Sequence, residues 1–187
     1  MQTTLAKLIT AEEFAEMPGP EDGTQQELVR GVIISMPLPN ARHGFCCATI
    51  ARLIGNFVAV NKLGIVTCND AGVVVERNPD TVRGPDIAYW SFDRQKTVPK
   101  FYFEISPDLA IEVMSPSNTR RQLRDKVREY LFNEGKMVWI VDPEDRCVEI
   151  YRNPEEGRIL IESAILHGED ALPGFQCKVA DLFPPEE

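Results

Sequence analysis

One carboxylate inside an apolar strand constrains this chain more than anything else in it. The stretch Pro107 to Pro143, PDLAIEVMSPSNTRRQLRDKVREYLFNEGKMVWIVDP, reads as a buried strand, a tight turn, an amphipathic helix and a second strand. Glu112 falls within the first strand, among Leu109, Ala110, Ile111 and Val113. A charge in such company is costly unless something pairs with it. A strand end open to water, or an internal salt bridge, would answer that cost. A second acidic residue stands in similar company: Asp86 opens the short apolar run PDIAYW one strand earlier. Two carboxylates at the ends of neighbouring strands make a hard-oxygen site of the kind that holds magnesium or manganese.

The helix after Glu112 can be drawn as a wheel with about 100° per residue. Leu123, Val127, Tyr130 and Leu131 form its apolar stripe, and Arg121, Arg124, Asp125 and Arg128 fall on the sides or far face. Lys126 sits at the edge of the stripe. Its stem can cover apolar surface while the ammonium reaches water, or the ammonium can point at the carboxylate pair and stabilise developing negative charge. Arg120, Arg121 and Arg124 stand with Lys126 and Arg128 on one short basic segment. That segment is either a solvated face with intrahelical pairs or a face that meets phosphates.

The rest of the chain supplies a frame for these residues. Thr10-x-x-Glu13 is a capping box, which predicts a short helix from Ala11 to about Met17, ended by a turn through Pro18, Gly19, Pro20 and Gly23. Gln26 to Met36 reads as a strand pair or one bent strand, with Gly31 at the bend and Glu27 opening an otherwise apolar run. A packed helix follows from His43 to Lys62, with His43 in its first turn. Gly64–Cys68 and Gly72–Glu76 meet at Asn69-Asp70 as a hairpin or one interrupted strand. After the Pro107–Pro143 stretch, Val148–Tyr151 and Arg158–Ile165 read as strands, Val179–Phe183 as a helical turn, and the tail PPEE as frayed. No internal repeat or low-complexity linker interrupts the 187 residues, so a single domain is expected over 1–187.

Composition narrows the function classes. No apolar run approaches the roughly 18 residues that span a bilayer, and MQTTLAKLITAEEF lacks the basic-then-apolar pattern of a signal peptide, so a cytoplasmic protein with no membrane partner is expected. The five cysteines have no paired spacing and read as free thiols. A net charge of −9 and a pI of about 4.8 work against loose binding to a polyanion, so a nucleic-acid role needs local positive charge, a metal or a partner. Ser115 and Ser117 lack a G-x-S-x-G elbow, His43 and His167 do not complete a serine triad, and no phosphate-binding glycine motif is present.

Pro85-Asp86, the run Ile111-Glu112-Val113-Met114-Ser115-Pro116-Ser117, the pair Lys126 and Tyr130, and Trp139-Ile140-Val141-Asp142-Pro143 resemble the Uma-two family of restriction-endonuclease-like proteins. Glu27-Leu28-Val29-Arg30-Gly31 and His43 match its N-terminal pattern, and the resemblance runs from about Glu12 to Phe183. It implies a PD-(D/E)xK nuclease core in the order α-β-β-β-α-β: a mixed α/β fold whose mixed central sheet carries flanking helices and extra terminal strands. It also implies Asp86, Glu112 and the Val113 carbonyl as metal ligands, with Glu27 and His43 bordering the site. The superfamily's lysine usually stands two residues after the glutamate, and here that place is Met114. Either Lys126 supplies the ammonium from the helix, or the site is catalytically weak or inactive. The resulting expectation is a magnesium- or manganese-dependent endonuclease on DNA, with Asp86, Glu112, Lys126 and Glu27 catalytic and His43, Arg120, Arg121 and Arg124 on substrate. The alternative is an inactive nuclease fold used for binding or assembly. A homodimer follows by analogy with two-strand cleavage.

Overall fold

The strand that carries Glu112 lies inside a six-stranded sheet, and the helix after it crosses one face of that sheet. The computed structural model describes residues 7–22 and 24–185; Gly23 of the expected turn and the last two residues of the tail lie outside them. In chain order the elements are α1 (Ala11–Glu16), β1 (Gln25–Val29), β2 (Val32–Met36), α2 (Ala41–Asn61), β3 (Gly64–Cys68), β4 (Val73–Glu76), β5 (Thr81–Arg83) and β6 (Ile87–Ser91). There follow β7 (Leu109–Val113), α3 (Arg120–Phe132), β8 (Met137–Asp142), β9 (Cys147–Tyr151), β10 (Gly157–Ile161), β11 (Ile165–His167), β12 (Gln176–Lys178) and a final 3-10 turn, Val179–Leu182.

The central sheet has the order β10-β9-β8-β7-β6-β3. Only β7 and β8 run parallel within it, joined across the face by α3, so the sheet is mixed. Both faces of β7 and β8 are covered, which explains their nearly continuous apolar sequence. Leu109, Ile111, Val113, Met137, Trp139 and Val141 pack on the α2 side. Ala110, Val138 and Ile140 pack on the opposite side with Leu123, Val127 and Tyr130 of α3. Thr119 caps α3 through a reciprocal box with Gln122.

A second sheet, ordered β2-β1-β5-β4, closes one side of the site. Of the two readings open for Gln26–Met36, the strand pair is the one observed. Val29 pairs with Val32 across a two-residue turn in which Arg30 and Gly31 have φ of 50° and 76°. A Cβ on Gly31 would come within 2.6 Å of Leu8 Cβ, so both the backbone and the close approach call for glycine.

Three expectations are corrected. Gly64–Cys68 and Val73–Glu76 form neither a hairpin nor one strand: β3 pairs with β6 in the central sheet and β4 with β5 in the second. Asn69 and Asp70 both take left-handed φ (63° and 57°), turning the chain out of one sheet and into the other. With β4 and β5 taken as an excursion, the core reads α2-β3-β6-β7-α3-β8, the expected α-β-β-β-α-β order. Arg158–Ile165 is broken after Ile161, where the Ala164 N–H donates to the Ile161 carbonyl, and Ile165–His167 pairs with β12 instead. Finally, α2 is by length and composition apolar enough to cross a membrane, because alanine, glycine and cysteine join into one stretch the runs that Arg52 and Asn56 separate by eye. Its buried stripe, Cys46, Ile50, Ile54 and Val58, packs into the core on the central sheet.

Candidate active site

The alternation of β7 aims Glu112 at α3. Residues two apart on a strand share a face, so Glu112 lies on the side of Ala110, against the helix. There Lys126 Nζ donates to Glu112 Oε2 at 2.9 Å, and Tyr130 Oη donates to Glu112 Oε1 at 2.8 Å. Lys126 and Tyr130 are four residues apart, hence on one face of α3, and between them they engage both carboxylate oxygens. Lys126 does not snorkel: it is buried, and its ammonium also meets Glu27 Oε1 at 2.9 Å.

Glu27 comes from β1, on the second sheet. It is only 3% exposed, comparable to the 4% of Glu112, and so is not a solvated strand end. Arg83 Nη1 donates to its Oε2 at 2.8 Å, and the Gly84 N–H donates to its Oε1 at 3.1 Å. Arg83 in turn clamps Glu129 of α3 through Nε and Nη2. The second sheet is thus tied to the helix by a buried ionic chain: Glu27 to Lys126, and Arg83 to Glu129.

Asp86 is carried from the second sheet to the first by Gly84-Pro85. Its Oδ2 accepts the Val113 N–H at 2.7 Å, which fixes it beside the end of β7. Its Oδ1 lies 3.2 Å from His43 Nε2, in the first turn of α2. Asn40 caps that helix by accepting the His43 N–H, so the cap also sets the imidazole's position. Asp86, Glu112, Val113, Lys126 and His43 line one cleft of about 40 Å³ with Ser115, Ser117 and Asn118 at its rim. That volume has room for an ion with its water.

Sequence reasoning missed Asp70, which lines the same cleft. Gln25 Nε2 donates to its carboxylate. Burial first, then the charges of Asp86 and Glu27, push its carboxyl up to about 6, against the opposing pull of Lys126 and His43. Asp70 sits at a break in the hydrophobic pattern, so nothing in its spacing marks it. The turn signal Asn69-Asp70 marks the bend alone.

Glu27, Glu112, Asp70 and Asp86 therefore gather near one buried lysine, and the proton affinities of Glu112, Glu27 and Asp70 separate by surroundings. Burial and the nearby Asp86 and Glu27 charges push Glu112 up to about 7 in spite of Lys126. Glu27 goes the other way: burial opposes its ionisation, but Lys126 and Arg83 together hold it below the usual carboxylate range. Lys126 is buried too, yet Glu112 and Glu27 keep it charged. His43 is raised because its bond to Asp86 outweighs burial. An excess of buried negative charge converging on a small polar cleft is the setting in which a divalent cation binds.

The expected phosphate-binding arginines are not brought to this cleft. Arg120 is held by Glu149 at 2.5 Å, with Asp142 and Asp145 nearby, and Arg121 is exposed. Arg124 lines a separate small pocket with Arg120 and Met114. Met114 itself is half-buried against the core beside Leu123 and Ile140.

A family model described as Uma2, putative restriction endonuclease, matches residues 11–180. The chain belongs to the Uma2 family. The matched span of this Uma2 chain includes every element from α1 to the start of the terminal 3-10 turn. A crystal structure of a putative nuclease belonging to DUF820 from Anabaena variabilis ATCC 29413 is similar at a TM-score of 0.80 and 22% identity, covering 94% of this chain and 97% of that one. At that identity the likeness concerns the fold: mixed α/β, with a mixed central sheet and flanking helices. No curated protein matches this chain. Family and fold together support a nuclease-like function, and restriction-endonuclease-like nucleases generally use divalent metals.

Proposed function

We propose that this Uma2 protein is a magnesium- or manganese-dependent phosphodiesterase that cuts DNA, with its lysine supplied by α3. The observation that carries the reading is the pair of 2.9 Å contacts from Lys126 to Glu112 and Glu27, while Met114 packs away from the cleft. Asp86 and Glu112, with the Val113 carbonyl, would hold the cation, and Asp70 would join them from across the cleft. Each carboxylate oxygen has two lone pairs, so the bonds from Val113, Lys126 and Tyr130 leave acceptor capacity on the same oxygens. The bound cation supplies Lewis acidity toward a phosphoryl oxygen and makes water more acidic.

The chain's own groups then have distinct roles. Lys126 has three N–H donors, and two are taken by Glu112 and Glu27. The third is available to a phosphate oxygen or an attacking water at the cleft, where a fixed ammonium stabilises developing negative charge. Glu27 positions Lys126 and is itself positioned by Arg83. Tyr130 keeps Glu112 oriented. His43 borders the phosphate path and can hold or move a proton at Nε2. A nucleic-acid substrate would lie across the mouth of the cleft with the scissile phosphate turned toward Asp86 and Glu112.

This reading treats the chain as one domain working in the cytoplasm, and two copies would furnish one site per DNA strand. One observation favours the alternative of an inactive binding module: the acidic chain spends Arg120 on its own carboxylates instead of presenting it to phosphate. Single-turnover cleavage of supercoiled plasmid with manganese, comparing wild type with Asp86→Asn, tests the proposal. Cutting by wild type that Asp86→Asn abolishes supports it, and equal rates in the two reject it.

A further inference from the structure

Cys47 lies one helical turn after His43, so both side chains stand on the same face of α2. Their position beside Asp86 gathers three chemically different donors that the cutting reaction does not need together. His43 Nε2 is 3.2 Å from Asp86 Oδ1 and 4.0 Å from Cys47 Sγ, and the three donor atoms lie within 4.8 Å of one another. Zinc bonds of roughly 2.0–2.3 Å to nitrogen, oxygen and sulfur at tetrahedral angles put donor atoms roughly 3.4–3.6 Å apart. The His43–Asp86 separation is already close to that range, and the Cys47 sulfur, 4.0 Å from Nε2, would have to move inward to complete the site.

We propose that His43, Cys47 and Asp86 form a zinc site next to the Asp86–Glu112 site, and that zinc bound there holds the protein in an inactive state. The inference rests on the preceding reading in one respect, that Asp86 is a ligand for the activating cation. Magnesium and manganese favour oxygen donors, whereas an imidazole and a thiolate favour zinc. The two metals therefore prefer different donor sets that compete for one shared carboxylate. Three protein ligands leave zinc a fourth position for water, and the cleft beside Asp86 provides the space. On binding, the Cys47 thiol proton and any proton on His43 Nε2 pass to the buffer, and no electron is transferred. The same arrangement makes zinc a regulator: it takes Asp86 and His43 together, so the activating cation loses a ligand.

The test uses cobalt as a zinc probe on the reduced, chelator-treated full chain. Expected are the visible bands of four-coordinate cobalt and a near-ultraviolet thiolate-to-cobalt band. Cys47→Ser should remove the near-ultraviolet band and weaken zinc binding at least about tenfold by calorimetry, since one of three protein ligands is lost. It should leave manganese affinity unchanged. Cys68→Ser, which alters an exposed thiol, should change nothing. A cobalt complex without a thiolate band, or one that loses its band on Cys68→Ser and keeps it on Cys47→Ser, overturns the zinc site. Zinc-loaded protein that still binds manganese at full affinity overturns the competition. The two readings fail separately: zinc bound through Cys47 in a chain that binds no manganese leaves the zinc site standing and rejects the magnesium proposal.

Discussion

Lys126 Nζ and Glu112 Oε2 meet at 2.9 Å from a helix and a strand fourteen residues apart. The same ammonium reaches Glu27 on another sheet, so one buried cation holds two buried carboxylates. This changes what Lys126→Ala should do. On the wheel alone the helix keeps its apolar stripe and should fold normally, but here the substitution strands charges inside the protein. Removing one member of a buried ion pair costs about 3–5 kcal/mol. Lys126→Ala is therefore expected to lose stability of that order in urea unfolding at pH 8 with chelator present. Added manganese should recover part of the loss by supplying the missing positive charge. A variant as stable as wild type without metal would show that Glu112 and Glu27 do not depend on the lysine.

Metal affinity should fall as pH falls through neutrality. Glu112, pushed up to about 7 by burial and its acidic neighbours, must shed its proton to act as a ligand. Below that value each pH unit should weaken manganese binding by about tenfold, as proton and metal compete for one carboxylate. Asp86→Asn and Glu112→Gln should each weaken binding further at pH 8, and Glu112→Gln should flatten the pH dependence. Calorimetric titration between pH 5.5 and 8 reads both effects. A pH-independent affinity in wild type would remove Glu112 from the ligand set.

Asp70→Asn should stabilise the metal-free protein at high pH. The folded-state carboxyl is raised to about 6 from an ordinary 3.8, by burial and the charges of Asp86 and Glu27. Folding therefore favours the protonated form. That contribution is present in full below pH 3.8 and is lost as pH rises through 6, where the ionised group is repelled. Asparagine stays neutral and escapes the penalty, so the gain should appear above pH 6 and vanish near pH 4. After discounting for solvent screening, about 1–2 kcal/mol is expected. Thermal unfolding with chelator at pH 8 and pH 4 checks it, and an equal effect at both would place its origin elsewhere than in charge repulsion.

The parts of the site that local pattern could reveal are the ones carried by strongly periodic elements. Glu112 stands out because four apolar neighbours surround it, and Asp86 because it opens an apolar run. The capping box of α1 and the apolar stripe of α3 are equally local. Lys126 sat on the stripe's edge, where the wheel could not choose between solvent and site; the choice is made by Glu27 and Glu112, which face it from two sheets. The Glu27–Arg83 pair links residues 56 apart, through a three-residue strand too short to show a period. Asp70 depends on a left-handed turn and on Gly84, where a Cβ would come within 2.7 Å of Asp70 Cβ. Contacts of this kind belong to the meeting of two sheets, and no window of sequence contains them.

The role proposed for Lys126 can be tested by placing a lysine at position 114 instead. Met114 is two residues from Glu112, so their side chains leave the same face of β7, and Met114 lies against Leu123 and Ile140 on the α3 side. Lys126→Ala should lower single-turnover cleavage of supercoiled plasmid by at least about 100-fold, the scale for losing one fixed charge-stabilising donor. Adding Met114→Lys should restore part of the rate, because a lysine stem rooted there can lean toward Glu112 and return an ammonium to the cleft. Its recovery should be incomplete: Arg120 and Arg124 share the Met114 pocket and repel a third cation, while Glu149 offers it a competing partner. Measuring unfolding of each variant alongside cleavage separates lost chemistry from lost structure. If Lys126→Ala cuts as fast as wild type, the ammonium has no part in the reaction. If the folded double variant stays as inactive as the single one, Lys126 acts through its place between Glu27 and Glu112, and its charge alone does not account for the rate.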